Sequence, residues 1–300
     1  MVTHILGLQL RGSAIVLPAT HRRRAISLLT RLQSASAAAL AAFAVVHLSA
    51  PLVGLLHLGG DVNDRVDAVS RWMLLGRVAY QSGVGEVVLW ASLATHVIAG
   101  IVKRVVTRFT VARSTMEESA TSDDLVEVKK RDSSVSASTE VPKIKLSIAQ
   151  TSGYILAPFA IHHAFVNRIL PSASKAPISR LSPSELDYSF VSHSLSHPNL
   201  GVRIVMAGAY TILISAFAVH AAYAVPALLR SLPKSSTAGK GSKTKRSQAK
   251  VSTSLAVVLL ASLAAIVPLR SSDRLAISSA LKGRYDAVLR LAFPTRLLCS

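Results

Sequence analysis

Five stretches of the chain are apolar for about 20 residues or more, and segments rich in charged and small polar residues separate them. An apolar run of that length is what an α-helix needs to cross the hydrocarbon core of a bilayer. The pattern therefore predicts an all-α fold, a polytopic membrane helical bundle of about five transmembrane helices. The predicted spans are residues 35–58, 83–102, 146–170, 202–229 and 251–269.

The polar stretches complete the predicted division of the chain. Charged and apolar side chains alternate over residues 61–82, as in a helix that lies at the membrane interface. The predicted segments are a basic N-terminal segment (1–33), the first two transmembrane helices (34–106), a disordered polar loop (107–145), transmembrane helices three and four (146–229), a basic linker (230–250), the fifth transmembrane helix (251–269) and an amphipathic tail (270–300).

The net positive charge of the chain and its distribution indicate which partners to expect. The formal net charge is +19, from 34 Lys and Arg against 15 Asp and Glu. Such an excess suits nucleic acid, anionic lipid or the basic loops of a membrane protein. The basic residues lie mostly between the apolar runs and no nucleic-acid-binding signature is present, so we expect membrane lipids as partners and no nucleic acid. The single cysteine, Cys299, leaves no internal disulfide framework.

The first 33 residues contain five arginines, and the first acidic residue of the chain is Asp61. An arginine-rich segment without acidic residues is typical of mitochondrial targeting sequences. The alternative is a basic flank that keeps the start of the first span on one side of the membrane. With five spans, this flank and the loops after spans two and four share one side and carry 21 of the 34 Lys and Arg, which by the positive-inside rule is the cytosol.

Four of the predicted spans carry a histidine well inside them: His47, His96, His163 and His220. At ~1.5 Å of rise per residue, His96 and His220 lie at one depth, and His47 and His163 lie at another, roughly 10 Å away. His162 is about 100° from His163 around the helix and cannot face the same site, whereas Asn167 shares the face of His163.

Two histidines at one depth on facing helices can be the axial ligands of a b-type haem. His47, His96, His163 and His220 are therefore the candidate cofactor-binding residues, as ligands of haem iron in two pairs. The alternative is that these side chains are interhelical hydrogen-bonding groups, because lipid offers an imidazole no partner.

His193 and His197 have the spacing of two metal ligands on one helix face. No further cluster of Cys, His or carboxylate residues completes the set in the sequence, so we interpret them as histidines of a Ser/Pro-rich loop.

A set of short motifs lies between residues 80 and 220. They are Tyr80-Gln81-Ser82-Gly83, Glu86, His96, Gly153-Tyr154, Pro158, His163, Asn167-Arg168, Pro171, Asp187-Tyr188 and His220. Together they resemble the fungal mitochondrial outer-membrane adapter family, whose founding member was found as a suppressor of defects in the mitochondria–ER tether. The resemblance covers about residues 35–230.

The resemblance implies a multi-pass mitochondrial protein of lipid homeostasis that recruits a bridge-like lipid-transfer protein of the vacuolar protein-sorting type. The membrane part of that family is also similar to the haem-binding anchor subunits of succinate dehydrogenase and fumarate reductase. One departure is that the family recruits its partner through a Pro-x-Pro motif, and this chain has none.

Two functions follow as hypotheses. The first is a non-enzymatic contact-site adapter for a lipid-transfer protein, in a mitochondrial membrane and most simply the outer one. The alternative is a b-type di-haem cytochrome that transfers electrons, with haem b as its cofactor. A transporter is the weaker third, because inverted repeats and charged residues at the membrane midplane are not evident.

Overall fold

The computed structural model describes residues 3–5, 8–10, 19–56, 61–121, 146–182, 184–231 and 276–298. Within these ranges the chain is almost entirely helical. The helices are α1 (Ala19–Leu56), α2 (Val62–Tyr80), α3 (Gly83–Thr121), α4 (Ile148–Ala164), α5 (Tyr188–Leu195), α6 (Leu200–Ser231) and α7 (Ser279–Leu291). A short antiparallel hairpin precedes them, with β1 (Thr3–Ile5) paired to β2 (Leu8–Leu10).

Three of the described helical stretches are long and apolar enough to cross a membrane: Thr20–Leu56, Gly83–Thr107 and Leu200–Pro226. The expectation of a helical membrane protein is thus confirmed, but with three such helices among the described residues rather than five. The predicted third span is not among them. Its α-helical part, α4, has only 17 residues and continues into a π-helical turn, Phe165–Ile169, and a 3-10 turn, Leu170–Ser172, which contains Pro171. The predicted fifth span, 251–269, lies outside the described residues.

Two helices extend beyond their predicted bounds. α1 begins at Ala19, inside the predicted basic segment, and α3 continues to Thr121, inside the predicted disordered loop. No Gly or Pro interrupts residues 19–50 or 107–121. Alanine, leucine and arginine are also strong helix formers, so α1 has no local reason to start later.

Contacts divide the chain into two compact units, and α1 and α3 each contribute to both. Unit 1 comprises Met1–Ala37 and Leu93–Ser138, and unit 2 comprises Ala38–Ser92 and Thr139–Ser300. In unit 1, α1 approaches α3 closely: a Cβ added at Gly100 would lie 3.1 Å from Nε2 of Gln33.

In unit 2, the helices α2, α5 and α7 pack beside the ends of α1, α4 and α6; we call these three helices the cap layer. Ala50 of α1 packs against the apolar face of α2, and Val166 and Val202 pack with residues of α5 and α7. The side chains at the centre of the two clusters are Ala50, Val62, Val66, Val69, Val166, Phe190, Val202, Met206, Tyr285, Val288 and Leu289.

α2 confirms the helix predicted within residues 61–82. Asp61 caps its first turn by accepting a hydrogen bond from the Val62 amide, and its apolar residues recur at helical spacing on a buried face.

α7 confirms an amphipathic helix in the tail, but its apolar face is not free for a membrane surface. Tyr285, Val288 and Leu289 are fully buried against the rest of the cap layer. Hydrophobic burial against α5 and α6 therefore occupies the apolar face of this amphipathic helix.

Candidate functional site

The structure brings together one of the two predicted histidine pairs. The ring centroids of His47 on α1 and His163 on α4 are 5.9 Å apart at an interplanar angle of 72°. Phe43 stacks on His47 with a centroid separation of 5.1 Å, and Tyr80 at the end of α2 meets the same ring edge-on at 6.0 Å. The two imidazoles are therefore in ring contact inside an aromatic cluster.

His163 is held from its own helix and from α6. The amide nitrogen of Asn167 donates to the His163 carbonyl at 2.9 Å and lies 3.2 Å from Nδ1 of the ring. The Tyr210 ring of α6 lies edge-on to His163 at 5.9 Å. Nδ1 of His47 and the Tyr210 hydroxyl are buried without a hydrogen-bond partner among the described residues, although Asn167 and Ser194 lie near that hydroxyl.

A small cavity adjoins this pair, between α4 and α6. Its volume is about 10 Å³, and its polar lining comes from His162, His163, Asn167 and Tyr210. A space of that size holds about one water molecule.

A haem would need far more room. Two axial histidines hold the iron between them, and the planar macrocycle needs a flat slot around it. The rings of His47 and His163 are in contact and the neighbouring cavity is water-sized, so these residues as arranged do not fit a haem. Haem ligation by this pair would require α1 and α4 to separate.

The other two predicted ligands each contact the backbone of a neighbouring helix. In unit 1, Nδ1 of His96 donates to the Gln33 carbonyl across 3.3 Å. In unit 2, Nδ1 of His220 donates to the Ala149 carbonyl across 2.9 Å. Both contacts are hydrogen bonds between helices, as the alternative to haem binding predicted. A haem-binding role for His96 and His220 stays a prediction.

His162 has a partner that no side-chain pattern could have indicated. Its Nε2 donates to the backbone carbonyl of Phe293, 2.6 Å away, in the segment that follows α7. The imidazole thus joins α4 to a part of the chain 131 residues further on.

A bidentate ion pair joins the start of α3 to the π-helical turn after α4. Nε and Nη2 of Arg168 donate to the two carboxylate oxygens of Glu86 at 3.0 and 2.9 Å. In this planar, two-bond geometry the guanidinium of arginine and a carboxylate form two parallel hydrogen bonds. π-helical turns are frequent at functional sites, and both residues belong to the motifs that carry the resemblance.

Two hydrogen bonds between a side chain of α2 and a backbone group join α2 to the start of α5 and the residues just before it. Nη1 of Arg77 donates to the Leu186 carbonyl, and the Tyr188 amide donates to the Ser70 hydroxyl at 3.1 Å. Burial raises the pKa of Tyr188 well above its usual range, so its hydroxyl is neutral.

A second histidine cluster lies in the cap layer and corrects the interpretation of His193 and His197. A carboxylate does complete the set: Oδ1 of Asp286 on α7 lies 2.7 Å from Nε2 of His193 and 3.3 Å from Nε2 of His197. The three ligand atoms lie within 4.8 Å of one another, a separation that a single metal ion could bridge. The sequence gives no signal for Asp286, because only tertiary packing brings α7 against α5.

The hydrogen bonds of His197 disfavour a metal there. The Asn199 amide donates to Nδ1 of His197 at 3.1 Å, so Nδ1 carries no proton and the neutral ring has its proton on Nε2. A metal-bound histidine usually donates its other ring N–H to an acceptor, and here that nitrogen already accepts. The arrangement is thus suited to two imidazoles that donate to one carboxylate oxygen.

Comparisons with protein-family models, with curated proteins and with solved structures find no match to this chain.

Proposed function

We propose that this chain is a non-enzymatic, multi-pass membrane protein of lipid homeostasis that acts as a contact-site adapter for a lipid-transfer protein. Its proposed location is a mitochondrial membrane, the outer one. The proposal extends the function implied by the family resemblance.

The observation that carries the proposal is that residues of the resembling motifs contact one another in unit 2. Tyr80 and His163 both contact the ring of His47, which is not itself one of the matching residues. Glu86 pairs with Arg168, and a Cβ at Gly153 would lie 3.0 Å from the His220 ring. Contacts between residues of separate motifs are what one shared packing arrangement would produce, and they support the resemblance and the function that it implies to that extent.

The lack of a Pro-x-Pro motif makes recruitment the decisive step to test. The experiment expresses the fluorescently tagged full chain in fungal cells that lack their own adapter and carry a differently tagged bridge-like lipid-transfer protein. We expect the chain on mitochondria and the transfer protein drawn to the same organelles. A second test uses an Arg168→Gln variant, which keeps the apolar spans but breaks the pair with Glu86. We expect this variant to weaken recruitment of the transfer protein.

Two results would overturn parts of the proposal. A chain on mitochondria that leaves the transfer protein in its original distribution removes the adapter role. A chain found on another membrane removes the mitochondrial assignment.

The second candidate is the b-type cytochrome. The observation that favours it is that His47 and His163 lie side by side on two different helices, as expected from depth, although α1 and α4 would have to separate to admit a haem. The test is the visible spectrum of the detergent-purified protein, oxidised and dithionite-reduced, from haem-replete cells. A haem spectrum that is lost in the His47→Ala and His163→Ala variants would support the cytochrome function. A colourless wild-type protein would exclude it.

A further inference from the structure

We propose that the segment Leu291–Leu298 is an anchor that inserts into the interface of a bilayer rich in anionic phospholipids. The inference rests on the chain crossing a membrane and is independent of the adapter role. It concerns the segment after α7, because the apolar face of α7 itself is buried.

The segment has two chemically distinct sides. Ala292 and Thr295 are buried, and the Thr295 hydroxyl donates to the Ala292 carbonyl at 2.9 Å, which fixes the turn. In contrast, Phe293 and Leu297 are 59 and 64% exposed, and Leu291 is exposed as well. Large apolar side chains held outward by a fixed turn form a patch that needs a covering.

The position of the patch indicates that lipid covers it. The Leu298 carbonyl accepts a hydrogen bond from the Asn199 side chain at 2.7 Å, and a Cβ on Gly201 would lie 3.2 Å from the Leu298 side chain. The segment therefore lies against the first turn of α6, which is long and apolar enough to span a membrane. Leu200 and Ile204 in that region are also exposed, so the patch lies beside exposed apolar side chains of a candidate span.

The charge on the segment indicates anionic headgroups. Arg290 and Arg296 are exposed, and residues 287–298 contain no acidic side chain. The Arg296 guanidinium lies 5.8 Å from the centroid of the Phe293 ring. An aromatic ring with arginines beside it is the arrangement of an interfacial anchor, in which the ring enters the acyl boundary and the guanidinium stays with the phosphates.

The first test measures the depth of residue 293. The full chain carries Phe293→Trp in a Trp72→Phe/Trp90→Phe background and is reconstituted in vesicles of phosphatidylcholine and phosphatidylglycerol, part of the phosphatidylcholine being brominated on its acyl chains. We expect the bromines to lower the emission of the introduced tryptophan by roughly half, and aqueous iodide to have little effect. The matched control is Ala280→Trp at the exposed start of α7, which we expect iodide to quench and bromolipid to leave unchanged.

The second test measures how much anionic lipid the protein retains after extraction. We expect the Arg290→Gln/Arg296→Gln protein to retain roughly half as much phosphatidylglycerol per chain after detergent extraction, and a Lys175→Gln/Arg180→Gln control with the same charge change to retain the wild-type amount. If iodide alone quenches the Phe293→Trp protein, or if a covering protein shields it from both quenchers, the anchor is overturned. An unchanged phosphatidylglycerol content would overturn its preference for anionic lipid.

Discussion

Tyr285 is the polar side chain at the centre of the cap layer. It is fully buried, its hydroxyl donates to the Glu185 carbonyl, and the Ser189 hydroxyl lies 2.7 Å away. Burial raises the pKa of Tyr285 to about 12, so the hydroxyl remains a donor at every physiological pH.

Removing that hydroxyl leaves buried polar groups without their partner. We expect Tyr285→Phe to lower the free energy of unfolding by about 1–3 kcal/mol, measured by denaturant unfolding in detergent. Tyr223→Phe is the control, since Tyr223 on α6 is 55% exposed and we expect little change. Equal stability of the two variants would show that the Tyr285 hydrogen bonds contribute nothing net.

The histidine cluster of the cap layer leads to a prediction about metals. Because the Asn199 amide occupies Nδ1 of His197, we expect Zn²⁺ at micromolar concentration to leave the thermal unfolding temperature of the purified protein unchanged. A rise in that temperature with Zn²⁺ that disappears in His193→Ala or Asp286→Asn would contradict this, and would mean that the ion displaces the amide.

At the scale of the element, one glycine lets α4 pack tightly against a side chain of α6. A Cβ at Gly153 would lie 3.0 and 3.1 Å from two atoms of the His220 ring. That ring is held by its hydrogen bond to the Ala149 carbonyl, so it cannot move aside without losing a partner.

The contrast between two glycines tests this packing. We expect Gly153→Ala to destabilise the protein by about 1–3 kcal/mol through overpacking. Gly208 on α6 has open space around it, so Gly208→Ala should leave stability unchanged or raise it, as alanine favours a helix. Thermal unfolding of both variants in one detergent makes the comparison, and a harmless Gly153→Ala would mean that the helices shift apart at no cost.

At the scale of the whole molecule, the cap layer constrains how unit 2 crosses a membrane. α6 begins beside the cap layer and is about 48 Å long at 1.5 Å per residue, so it ends about one membrane thickness away, at Ser231. α7 lies in the cap layer again. If α6 crosses the bilayer, we expect the chain to return to the first side between Ser231 and α7, as the predicted span 251–269 would allow.

Cysteine labelling in sealed vesicles tests that arrangement. In a Cys299→Ser background, we expect a membrane-impermeant maleimide to reach Ser279→Cys and Ser235→Cys from opposite sides, because α6 separates them. Ser184→Cys, exposed in the connection between α4 and α5, should label from the same side as Ser279→Cys. If Ser235→Cys and Ser279→Cys label from the same side, the run 251–269 does not cross, and α6, which begins beside α7, does not cross either.

Local pattern was enough for features that depend on neighbouring residues. The length of the apolar runs indicated a helical membrane protein, because a bilayer imposes one helix length on every span. Helical periodicity indicated α2 and α7, and depth along the spans anticipated the contact of His47 with His163. The apolar pattern did not predict the exact ends of α1 and α3, because residues with high helix propensity extend both helices beyond their apolar runs.

Tertiary packing decided everything that joins residues far apart in the chain. It placed Asp286 against His193 and His197, gave His162 the Phe293 carbonyl, paired Glu86 with Arg168 and buried the face of α7. Each of these contacts joins segments far apart in the sequence, whereas helical periodicity relates only residues a few positions apart. A histidine within a span signals that some partner must exist, because lipid supplies none, but only the folded chain determines which group that partner is.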